Sequence, residues 1–115
     1  MVVKDVEYSR RFKAKDVGFD EGEFLKSHNR HEEDKRILDL VKRKFSLKNY
    51  SEGCSGFFGS DGTFNYLFRL CYENVNTNDY SYDSIAQIRK SGALEKIDEL
   101  SDLEKELAKQ GFVKK

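Results

Sequence analysis

Apolar residues recur along this chain with two different periods. In VVKDVEYSRRFKAKDV (2–17), Val6, Tyr8, Phe12 and Ala14 share one parity, interrupted at Arg10. A period of two predicts a strand or extended arm. GFDEGEFLKSH (18–28) offers Phe19, Phe24 and Leu25 as anchors for a loop and a short helical turn. In NRHEEDKRILDLVKRKF (29–45), Ile37, Leu40, Val41 and Phe45 fall on one helical stripe. Asn29 with Glu32 resembles a capping pair, and Lys42, Arg43 and Lys44 suit the negative end of the helix dipole.

The stretch GCSGFFGSDGTFNYLFRLCY (53–72) returns to period two. Asp61-Gly62 marks a tight turn requiring positive φ, so antiparallel strands are expected near 48–58 and 63–74. With Ser60 opposite Thr63, the residues Phe64, Tyr66, Phe68 and Leu70 line one face over Gly59, Phe57, Ser55 and Gly53. Large aromatics would then cover thin, glycine-rich places in the partner strand. The opposite face, with Tyr50, Phe58, Leu67, Arg69 and Cys71, is expected to be exposed. ENVNTNDYSYD (73–83) reads as a polar turn region. From Asp83 onward, Ile85 and Ile88 start a helical pattern, and Leu94, Ile97, Leu100, Leu103 and Leu107 recur every three or four positions, which predicts helices to Lys109. Gly92 would interrupt them, Ser101 and Glu104 make an S-x-x-E capping box, and Gly111 is a natural stop.

These elements predict a single α+β domain over 1–115. A small antiparallel sheet centred on a 48–75 hairpin is packed by the 29–45 helix and the C-terminal helices, and the first segment adds a strand. Phe64, Phe68, Ile37, Val41 and Leu103 should be buried together.

Charge alters the functional picture. Lys and Arg number 21 and Asp and Glu number 21, so there is no basic excess to neutralise a duplex. The start reaches Lys4 and Asp5 at once, unlike a signal peptide, and no apolar run is long enough to span a bilayer. Two cysteines, Cys54 and Cys71, make no disulfide framework, so a reducing cytoplasm is the expected location and both thiols are expected to be reduced.

The chemical motifs are incomplete. Gly53, Gly56, Gly59 and Gly62 lack the lysine of a phosphate loop. His28 and His31 with Cys54 and Cys71 have no zinc-site spacing, and Asn74, Asn76 and Asn78 lack the glycine and glutamate of a calcium loop. No metal and no cofactor is therefore expected. With Ser60 opposite Thr63, Arg69 stands opposite Cys54 and could activate its thiol, which makes a small nuclease or thiol hydrolase using His28 or Cys54 the third reading.

The leading expectation is a small inhibitor-like protein, of the immunity-protein or phage-inhibitor kind, that occludes the surface of a protein partner. Its binding residues would be Glu95, Asp98, Glu99, Asp102 and Glu106, taken as one acidic helical face. The second reading is a nucleic-acid-binding module. It would use Arg10, Arg11 and Lys13 with Lys42, Arg43 and Lys44, plus an aromatic sheet face.

Overall fold

The computed structural model describes residues 2–49 and 56–115. The alternation in the first segment becomes a strand, β1 (Val2–Lys13), with Val6, Tyr8 and Phe12 buried. The chain then turns through Ala14–Val17 into a short helix, α1 (Glu21–Phe24), whose first turn is capped by the Asp20 carboxylate. The long helix α2 spans Ser27–Lys44. It begins two residues before Asn29, so the expected capping pair falls inside the helix. Phe24, fully buried, fixes the chain just ahead of it, and its carbonyl accepts from the Arg30 guanidinium at 2.6 Å.

The expected 48–58 strand is two elements. β2 (Lys48–Asn49) pairs antiparallel with part of β3 (Gly56–Ser60), so this segment folds back on itself. Leu47 lies against Gly59, where any Cβ would collide with the leucine side chain. The cover over that glycine is thus aliphatic as well as aromatic. β3 pairs with β4 (Asn65–Asn76) with Ser60 opposite Asn65, two residues from the expected register. The turn is wider because the Asp61 carboxylate accepts the backbone N–H groups of Thr63 and Phe64, each at 2.9 Å. Gly62 has φ +90°, as the turn required. A two-residue slip preserves the facing, and Phe64, Tyr66, Phe68 and Leu70 are all buried. The expected strand partners Ser55 and Gly53 lie outside the described residues.

The largest departure is β5 (Ser81–Gly92). The spacing of Ile85 and Ile88 suggested a helix start, but these residues form the central strand of the sheet. β5 pairs along its whole length with β1 and along most of it with β4. Both Ile85 and Ile88 are buried although they point to opposite faces, so the strand shows no clean alternation. Past a 3-10 turn at Leu94–Lys96, α3 (Asp102–Lys109) starts at the expected capping box, with both of its hydrogen bonds formed. β6 (Val113–Lys114) then pairs with Tyr8 and Ser9 of β1.

The sheet order is β2-β3-β4-β5-β1-β6, antiparallel throughout. One core joins Val6, Tyr8, Phe68 and Ile88 of the sheet to Ile37 and Val41 of α2 and to Leu103 and Leu107 of α3. Among the described residues the helices therefore cover one face of the sheet and leave the other uncovered, although Ile85 on that second face is buried. No helix among the described residues is long and apolar enough to cross a membrane.

Candidate functional site

Register determines which side chains reach each face. On the covered face, β5 presents Tyr82, Ser84, Ala86, Ile88 and Lys90. Lys90, 1% exposed, donates to the Glu104 carboxylate at 2.8 Å and to the Glu99 carbonyl at 3.0 Å. The Tyr8 hydroxyl donates to the other Glu104 oxygen at 2.6 Å. Burial pushes the Glu104 carboxyl up, but the bonds from Lys90, Tyr8 and the Ser101 backbone outweigh it and hold the group below the usual carboxylate range. Burial and that carboxylate push the Tyr8 phenol up. Such a network fixes α3 on the sheet, and its groups have no open path to a ligand. Its role is architectural.

The uncovered face carries chemistry that solvent reaches. Successive rungs across β1, β5 and β4 place Glu7 beside Gln87 and Arg69, and Asp5 beside Arg89 and Leu67. These six residues line a hollow of about 440 Å³. Arg89 bonds Asp5 at 2.9 Å, and Gln87 bonds Glu7 at 3.0 Å. Nearby, Arg11 grips Asp83 through two nitrogens at 2.8 and 3.0 Å. The Arg11 bond holds the Asp83 carboxyl below its ordinary range. Phe58 and Leu67 add apolar area, as the sequence had suggested for Phe58, Leu67, Arg69 and Cys71. Tyr50 of that expected set lies outside the described residues. The remaining hollow-lining residues were missed. The signal was present in β1, where Asp5 and Glu7 alternate with Val6 and Tyr8.

The expected acidic face is not one helical stripe. Glu95 lies on the 3-10 turn, Asp98 and Glu99 on the following loop, and Asp102 and Glu106 on α3. Glu95, Glu99 and Asp102 are exposed. Asp98 is paired with Lys4. Glu106 is buried beneath Lys44, which bonds it at 2.6 Å, and that bond lowers its carboxyl below the usual range.

The expected basic patch is divided. Arg10 points to the covered face, its guanidinium 4.0 Å from the centre of the Phe12 ring, whereas Arg11 and Lys13 point to the uncovered one. Lys42 lies 5.3 Å over the Phe57 ring on β3, which β4 and β5 separate from β1. Arg43 donates to the Asp39 carbonyl at the exposed end of α2, and Lys44 is held by Glu106. The aromatic residues meant for base stacking are beneath the helices.

His28 is exposed, and the side chain of His31 and all of Cys54 lie outside the described residues. Cys71 is half-buried, and burial, with help from Glu73, pushes its thiol up against the opposing effect of Arg69. Burial therefore outweighs Arg69 at Cys71, whereas the activation expected from Arg69 concerned Cys54, which lies outside the described residues. No cluster of three metal-ligating side chains is present among the described residues. Comparison with family models, curated proteins and solved structures finds no match to this chain.

Proposed function

We propose that this chain is a protein-binding module that acts by occluding its partner through the uncovered face of the sheet. The observation that carries this reading is the one-sided packing. Every long strand has one face beneath the helices and one face carrying residues of both charges, beside a hollow of about 440 Å³. Acidic Asp5, Glu7, Glu73 and Asp83 are interleaved with basic Arg11, Arg69, Arg89 and Lys115. A polyphosphate would meet as much repulsion as attraction there. A protein surface of mixed polarity can match both signs, and interleaved charge fixes register and excludes wrong partners.

The test is capture from a lysate of the source cell with three baits: the wild type, Arg69→Glu on the open face, and Glu95→Lys with Asp102→Lys on the helical side. Loss of the captured protein with Arg69→Glu alone supports the reading. Loss only with the acidic double variant moves the site to the 94–102 segment. Recovery of polynucleotide instead of protein, with a steep loss on added salt, overturns it in favour of nucleic acid.

A further inference from the structure

The uncovered face is charge-complementary to itself. In one rung Glu7, Gln87 and Arg69 run from β1 through β5 to β4. Two rungs along, Arg11, Asp83 and Glu73 occupy the same strands with the outer signs reversed. The rung between, Ser9–Ile85–Cys71, is uncharged. A two-fold axis along β5 would lay a second copy face down on the first and place its β1 over β4. Glu7 of each copy then meets Arg69 of the other, and Arg11 meets Glu73. Arg89 keeps Asp5 and Asp83 keeps Arg11 within each sheet, so the strands nearest the axis bring no unpaired like charges together. Arg11 spends two of its five donors on Asp83 and retains others for the second copy.

We propose that this face docks a second copy of the chain across that axis. The inference rests on reading the uncovered face as a docking surface and names one occupant for it. Aligned face-to-face sheets pack about 10 Å apart with a rotation of about 30°. Long arginine and glutamate side chains tolerate that offset, and the Glu7–Arg69 contact nearest the centre is the least displaced. Three strands, β4, β5 and β1, overlap across that axis; spaced about 4.8 Å apart, over four rungs about 6.8 Å apart, they present roughly 400 Å² of projected surface per copy. Two copies thus bury about 800 Å², below the roughly 1,000 Å² of a stable specific interface and in the range of weak, transient contacts. The dimer is accordingly weak, and its population rises with protein concentration.

The experiment is sedimentation velocity from micromolar to submillimolar protein. The wild type should shift from monomer to dimer across that range. Glu7→Arg alone and Arg69→Glu alone should each raise the dissociation constant tenfold or more, because each sets like charges together twice. An equimolar mixture of the two variants should associate again. In the mixed pair both contacts regain opposite signs, a result specific to two-fold mating of this face. Thermal melts of each variant check folding. Arg11→Glu mixed with Glu73→Arg is a second, independent pair should either first variant fail to fold. A wild type monomeric throughout, dimers that persist in both single variants, or a mixture that stays monomeric would each overturn the proposal. A monomeric wild type whose capture of a different protein still depends on Arg69 overturns self-docking and leaves the docking face intact. A dimer of the expected kind, with capture of another protein unaffected by Arg69→Glu, overturns occlusion through this face instead.

Discussion

Arg89 and Lys90 are neighbours on β5, and each holds a carboxylate at nearly the same distance, 2.9 Å to Asp5 and 2.8 Å to Glu104. Strand geometry sends them to opposite faces. The Arg89 and Asp5 side chains are 58% and 68% exposed, whereas those of Lys90 and Glu104 are 1% and 2% exposed. In water, the attraction between two charges nearly cancels against their lost hydration. Under α3, the pair has lost its hydration already, and each ion depends on the other and on Tyr8, Ser101 and the Glu99 carbonyl. One bond length therefore corresponds to two very different energies. The buried pair holds the architecture, and the exposed rows remain available for binding.

The sharpest way to break this contrast is to remove the buried carboxylate. Glu104→Ala leaves the Lys90 ammonium and the Tyr8 hydroxyl without their acceptor and also removes half the capping box of α3. The expected loss is about 3–5 kcal/mol in urea unfolding. Lys90→Met combined with Glu104→Leu should recover most of it, since no charge is then stranded. A loss under about 1 kcal/mol for Glu104→Ala would mean that water reaches the pair. The same group sets a pH dependence. Its folded carboxyl lies below the ordinary value of about 4.3. Its contribution is therefore complete above that value and disappears as pH falls through the lowered one. Acid unfolding followed by circular dichroism should show a shallower slope in Glu104→Gln than in the wild type.

Much of this contrast could be read from the sequence, and the missing part has a physical cause. The parity of Val6, Tyr8 and Phe12 and the turn at Asp61-Gly62 are local signals, and both appear in the structure. The S-x-x-E box likewise marked Ser101 as a cap and Glu104 as a residue turned toward its own helix. The β5 strand was not legible. A strand flanked on both sides keeps residues such as Ile85 buried on its second face, and Ile85 with Ile88 then imitates helical spacing. With a helix expected from Asp83 onward, Arg89 and Lys90 had no sheet faces to occupy. Neither the partner of Glu104 nor the rungs of the open face could follow. The open-face residues on β3 and β4 were legible because the hairpin that carries them was.

A smaller effect is expected at the turn that joins those two strands. Gly62 has φ +90°, and nothing lies within contact of the position a Cβ would take. Gly62→Val therefore meets backbone strain without a clash, costing about 1 kcal/mol or more, because a branched side chain resists positive φ. Gly62→Asn should cost less than the valine, since asparagine adopts the left-handed region more readily. Equal melting temperatures for valine and wild type would show that the Asp61 bonds to Thr63 and Phe64 hold the turn in another conformation.

The smallest effect is expected where the bond is geometrically as good as the buried one. Arg89→Ala removes a bond of 2.9 Å to Asp5, yet both partners return to water rather than to a low-dielectric core. The coupling measured by a double-mutant cycle with Asp5→Ala should fall between about 0.2 and 1 kcal/mol. It should also fade as ionic strength rises, because exposed charges are screened over about 10 Å at 0.1 M salt and over less at higher salt. The Lys90–Glu104 coupling should change little with salt, since ions do not enter the space between α3 and the sheet. An Arg89–Asp5 coupling of several kcal/mol, insensitive to salt, would mean that the open face is shielded from solvent even in dilute monomer. The two faces of β5 would then no longer divide into one that holds the fold and one that is free to bind.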